Sequence, residues 1–75
     1  MKLSYAVEAR MRFIDFLLHE YGNVNRSAIV DFFGLSGPQA SNDLGLYMEI
    51  APGNMVYDMS VKSYLRTASF ERKWR

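Results

Sequence analysis

The stretch "FFGLSGPQASNDLGLY", residues 32–47, decides how this 75-residue chain is read, because it sets two helical fragments on either side of one sharp corner. Gly34 is free to take the positive φ that ends a helix, and Leu35 puts an apolar residue into the corner. Ser36 can cap the helix that follows, and Pro38 falls in its first turn, where the missing N–H costs little. Ser36 and Gln39 also match the reciprocal S-x-x-Q capping box. Such a corner is either the turn of a helix-turn-helix or a bend in a small helical core, and the flanking sequence has to choose.

Upstream, a first helix is expected from a Ser4 cap to Gly22, with Val7, Met11, Ile14, Leu17, Leu18 and Tyr21 forming one apolar stripe. Phe13 and Phe16 lie outside that stripe and widen the buried face or form a second contact surface. A short second helix over about residues 25–33 is capped by Asn23 or Asn25 and carries Ile29, Phe32 and Phe33. The third helix follows the corner, buries Ala40, Leu44, Tyr47 and Met48, and ends before Pro52. From residue 54 the period changes to that of strands: "NMVYD" and "VKSYLR" flank Met59 and Ser60 as a hairpin. Met55 and Tyr57 share one face of the first strand; Lys62, Tyr64 and Arg66 share one face of the second. Helix, helix, corner, helix, hairpin is the outline of a winged helix-turn-helix, an α+β fold that is mainly α. Residues 1–66 make that domain, and 67–75 form a tail that is either a frayed linker stump or, through Phe70 and Trp74, a dimer surface.

Composition narrows the chemistry. Without Cys the chain can form neither disulfides nor thiolate zinc sites, and its single His, His19, makes no metal cluster alone. No phosphate-loop lysine follows the paired glycines of "GLSG", and Ser27, Ser36 and Ser41 have only a sequence-distant His to serve them, so no enzyme is expected. No cofactor is expected either. The apolar runs fall short of the roughly 20 residues that span a bilayer, and no signal peptide is visible, which makes a cytoplasmic protein the expectation. The formal net charge of +1 conceals an asymmetry: residues 23–60 are net negative by three and residues 61–75 net positive by four. A polyanion should therefore lean on the C-terminal fifth of the chain.

With the order of elements in view, "VNR" opening the second helix, "FGLS" at the corner, "QAS" followed by "DL" and "Y" on the third helix, and "MVYD" with "KSY" on the wing resemble the N-terminal domain of WYL-domain transcriptional repressors of the type that accompanies bacterial phage-defence islands. The resemblance covers nearly the whole chain. It implies a domain that binds operator DNA as part of a dimer, with ligand sensing assigned to a downstream WYL domain. This chain stops at Arg75, before any such domain, so an excised DNA-binding domain and a natural short form are both open.

On this reading the partner is double-stranded DNA. Opposite the apolar face of the third helix stand Pro38, Ser41, Asn42 and Gly45, with Gln39 at the edge. Gln39, Ser41 and Asn42 are the expected base contacts, since Asn and Gln pair bidentately with adenine and Ser takes a base edge. For Gln39 that role competes with the capping box. The third helix lacks Lys and Arg, so phosphate neutralisation is assigned to Arg26, Ser36, Lys62 and Arg66. Asp43 is expected to hold Arg26 or another neighbouring base, and Tyr57 with Tyr64 to pack across strands. So few cations predict a homodimer reading an inverted repeat, with the first helix or the tail as its surface. The alternative is a winged helix that docks protein, its acidic middle segment facing a basic partner.

Overall fold

The computed structural model describes residues 2–74. Its elements run α1 (Tyr5–Tyr21), β1 (Asn23–Val24), α2 (Arg26–Phe33), α3 (Gly37–Ile50), β2 (Met55–Asp58) and β3 (Ser63–Arg66). Each helix starts at a polar cap. Ser4 Oγ accepts from the Val7 N–H at 3.2 Å, Asn25 Oδ1 from Ala28 at 2.9 Å, and Ser36 Oγ from Gln39 at 3.2 Å. Each such cap is worth about 1 kcal/mol. Gly22 (φ 79°) and Gly34 (φ 68°) close α1 and α2 in the left-handed conformation, as their positions after each helix predict.

The core is built from one face of each helix and one end of the sheet. Met11, Ile14 and Leu18 of α1 meet Ile29 of α2 and Ala40, Leu44 and Tyr47 of α3, all with at most 1% exposure. Each fully buried Leu, Ile or Met among them removes about 1.5–3 kcal/mol of unfavourable hydration. Two expected core positions are not in it. Tyr21 is 69% exposed at the end of α1, and Met48 is 40% exposed because Leu44 and Tyr47 already fill the centre of the stripe and leave Met48 on its flank. Phe13 does widen the buried face, stacking on Phe32 at 4.5 Å and meeting Phe33 edge-on at 5.3 Å, whereas Phe16 stays exposed against Tyr21.

The hairpin is part of a larger sheet. β3 lies between β1 and β2 in a three-stranded antiparallel sheet, with Asn23 opposite Leu65 and Val24 opposite Tyr64. A two-residue strand has no period to read, so β1 is legible only through its partners. Val24 reaches the core, and Ser63 Oγ donates to the Val24 carbonyl at 3.2 Å. Lys62 is not in β3 as expected: it sits in the turn at φ 51°.

The tail is docked. Residues 67–74 return across the base of the sheet to α1 and α3, where the ring of Trp74 lies 6.3 Å from that of Tyr47 and the ring of Phe70 lies 6.4 Å from His19. A fully buried carboxyl group, Asp15, holds the arrangement together. Its Oδ1 accepts from the Tyr47 hydroxyl at 2.5 Å, and its Oδ2 accepts from the N–H groups of Lys73 and Trp74, each at 3.0 Å. Asn54 Nδ2 donates to the Tyr47 hydroxyl at 3.1 Å and to the Glu71 carbonyl at 2.8 Å, while Asn54 Oδ1 accepts from the Glu71 N–H at 3.0 Å. The tail is a strap on the domain's own core, because these buried polar groups need the backbone of Glu71, Lys73 and Trp74 as partners.

Burial, followed by the bond to Asp15, raises the Tyr47 hydroxyl pKa well above its usual value near 10. A raised folded-state value means that the stabilisation is complete below pH about 10 and lost as pH climbs toward the folded value. Tyr47→Phe should therefore cost on the order of 1–3 kcal/mol at neutral pH, by orphaning buried partners. Its stability should also fall less steeply above pH 10 than that of the parent, which denaturant titrations at a series of alkaline pH values would measure.

Candidate nucleic-acid interface

The corner between α2 and α3 is rigid by construction. Gly34 N–H and Leu35 N–H both donate to the Val30 carbonyl, at 2.8 and 3.2 Å, and the Ser36 cap starts α3 at once. The α3 face opposite the core then carries Pro38, Ser41, Asn42 and Gly45 in solvent, as the helical period requires. Nothing lies within 4 Å of where a Cβ on Gly45 would stand, so the fold itself does not need glycine there.

Beside this face, the helices and the wing enclose a cleft of about 430 Å³ lined by Asn25, Arg26, Ser27, Ser41, Leu44, Tyr57, Lys62 and Tyr64. Arg26 bridges from the first residue of α2 to the first two turns of α3. Its Nη1 donates to Ser41 Oγ at 3.3 Å, and its guanidinium packs against Gly37, where a Cβ would approach Cζ to 3.7 Å. Lys62 closes the cleft from the wing. Among the described residues neither cation forms an ion pair, so both charges face the cleft uncompensated. Tyr57 and Tyr64 pair across β2 and β3, their rings 4.9 Å apart and edge to face, and also form one wall. The wing turn is held by Asp58, whose Oδ1 accepts from the Ser60 N–H at 2.8 Å and from the Ser60 hydroxyl at 2.5 Å. The Ser60 hydroxyl, then the backbone N–H groups, keep the Asp58 carboxyl below the usual carboxylate range.

Three expected site residues stand together here. Arg26 and Lys62 share the cleft with Ser41, and exposed Asn42 lies next to Ser41 on α3. Ser36 sits exposed at the α3 N-terminus, its oxygen already used as the cap. Arg66 lies outside the cleft. At the base of the wing its Nη1 donates to the carbonyls of Leu18 and His19, at 3.2 and 2.9 Å, because the end of β3 abuts Gly22 and the negative end of α1. Asp43 holds not Arg26 but another neighbouring base, the other expected alternative: Arg10 of α1, Oδ2 to Nε 2.7 Å, with Asp43 3% and Arg10 13% exposed. The capping box is half formed: Ser36 caps Gln39, but the Gln39 amide turns to Asp43 Oδ1 at 3.5 Å. The sequence offered no local signal for Arg10, 33 residues from Asp43, nor for Asn25 and Ser27 as cleft-facing residues, whereas the shared strand face of Lys62 and Tyr64 and the pairing of Tyr57 with Tyr64 already placed the two tyrosines beside the wing lysine.

Comparison with known proteins bears on what this surface is for. Residues 6–74 match the model of the BrxR transcriptional regulator winged helix-turn-helix domain, a span that includes the docked tail. The chain is 50% identical over 64 residues to the DNA-binding transcriptional repressor CapW of Escherichia coli (strain KTE188), covering 85% of this chain and 21% of that protein. It is 44% identical over 70 residues to CapW of Stenotrophomonas maltophilia (93% of this chain, 23% of that protein) and 45% identical over 64 residues to CapW of Pseudomonas aeruginosa (85% and 21%). The chain thus spans about a fifth of the length of these relatives.

Gly45 lies within an exposed helical face where glycine costs up to about 1 kcal/mol relative to alanine. Gly45→Ala should raise the melting temperature by a few degrees, as about 1 kcal/mol does for a domain of this size. A lower melting temperature in calorimetry would show that the glycine serves the fold itself.

Proposed function

This chain belongs to the BrxR family of transcriptional-regulator winged helix-turn-helix domains, and on that footing we propose that it binds double-stranded DNA sequence-specifically as the reading head of a repressor. The observation that carries the reading is the juxtaposition of two unlike surfaces. An uncharged α3 face of Ser41, Asn42 and Gly45 adjoins a cleft where Arg26 and Lys62 have no acidic partner among the described residues. The first is suited to base edges in the major groove and the second to backbone phosphate. Its relatives' name, DNA-binding transcriptional repressor, supports the same conclusion.

The roles divide accordingly. Ser41 and Asn42 read bases; Gln39 does so from the edge of α3. Arg26, Lys62 and the Ser36 end of α3 position the duplex through phosphates, while Arg66 stabilises the wing base. With two cations at the cleft, one copy gains little from counterion release, and we assign specific binding to a homodimer on an inverted repeat. Its half-sites would lie one helical turn, about 34 Å, or a multiple of it apart.

Selection from random duplexes at two salt concentrations, followed by sequencing, should enrich an inverted repeat and show affinity falling with salt. Asn42→Ala should flatten one position of the selected site, costing about 1–3 kcal/mol against the preferred base. Lys62→Ala should weaken all sequences alike and reduce the salt slope by about one. Unchanged selection by the double variant of Ser41 and Asn42 to alanine would remove α3 from the reading role, and binding to no duplex would turn the surface over to a protein partner.

A further inference from the structure

Two carboxyl groups are buried, Asp15 and Asp43. Asp15 serves the tail. Asp43, 3% exposed, stands on α3 itself, and its purpose is less evident. Its Oδ2 is fixed from α1 by Arg10 Nε at 2.7 Å, which leaves Oδ1 facing one turn back along α3 to Gln39 Nε2 at 3.5 Å. An ionised carboxyl group offers acceptors only, whereas the glutamine amide has an accepting end and a donating end. Only the amino end can face Asp43. An orientation that is ordinarily undecided for a half-buried amide is therefore set by the charge beneath it.

The consequence is chemical. With one Nε2 hydrogen directed at Asp43, the amide presents outward its Oε1 and its other N–H, an acceptor beside a donor. Adenine offers the complement in the major groove, a donor at N6 and an acceptor at N7; guanine offers two acceptors, so Oε1 would oppose O6. We infer that Asp43, anchored by Arg10, is a positioning residue that makes Gln39 a reader of adenine. The inference rests on α3 being the base-reading helix and names what one of its residues selects. It also gives the half-formed capping box a reason, since an amide folded back on Ser36 would lose this edge.

The test has two readouts on the 75-residue chain. In the first, duplexes selected by the parent chain should carry adenine at one position per half-site that Gln39→Ala alone flattens. Asp43→Asn, whose own amide can turn either way, should reduce the adenine-over-guanine preference at that same position by at least about fivefold, the lower end of what a bidentate pair contributes. Preference unchanged in a folded Asp43→Asn protein, folding being checked by thermal melting, would overturn the inference. So would a selected site whose positions all ignore Gln39→Ala. Selection of no sequence by the parent would overturn the DNA reading itself and this inference with it. The second readout needs no variant: one of the two Gln39 side-chain amide protons should be shifted downfield and exchange slowly in the free protein. A pair with solvent-like shift and exchange would show that Asp43 does not hold the amide.

Discussion

The structure turns on a single buried carboxyl group. Asp15, in the middle of α1, joins the Tyr47 hydroxyl of α3 to two backbone N–H groups of the tail. Tyr47 in turn accepts from Asn54, whose amide holds Glu71 from both sides. A small domain has little room for polar groups in its centre, and an unsatisfied one there costs more than a hydrogen bond gains. Every described member of this network is satisfied, and no buried side-chain nitrogen or oxygen among the described residues lacks a partner. Helix α3 is thereby fixed relative to α1 from its C-terminal half, which leaves its N-terminal half free to present a surface.

That N-terminal half is held by charge. Arg10 reaches Asp43 from α1, and Arg26 crosses from α2 to Gly37 and Ser41. The two arginines have opposite consequences. One is neutralised against a buried acid and acts as a bolt; the other keeps its charge at the mouth of the cleft. Lys62 gives the wing the same uncompensated charge, in a turn stiffened by Asp58. The acidic balance of residues 23–60 is thus misleading if averaged. Asp43 is sequestered, Asp58 is tied into the wing turn, and the basic groups are the ones facing the open cleft.

Gly22, Gly34 and the three polar caps could be read directly because helix ends leave orphan backbone groups that only a few residue types satisfy. The apolar stripes of α1 and α3 followed from their period, apart from the flank positions Tyr21 and Met48. The exposure of Ser41 and Asn42 followed from the same period, since one helix face implies its opposite. What could not be read was long-range and polar: the pairing of Asp15 with residues 73 and 74, of Asp43 with Arg10, and of Arg66 with the last carbonyls of α1. A charged residue in a helical pattern looks solvated until a partner from another element arrives.

By itself the amino-acid sequence determined the order of helices and hairpin, the corner at Gly34 to Ser36, and the face that α3 turns outward. These depend on interactions within about one helical turn, where periodicity and capping are local properties of the chain. Only the tertiary structure decided that β1 joins the sheet, that the tail is a strap, which cations remain open to a ligand, and which way Gln39 leans. Those outcomes depend on which polar groups meet across tens of residues. In so small a core each buried group must find a partner, and the partner's place along the chain leaves no periodic trace.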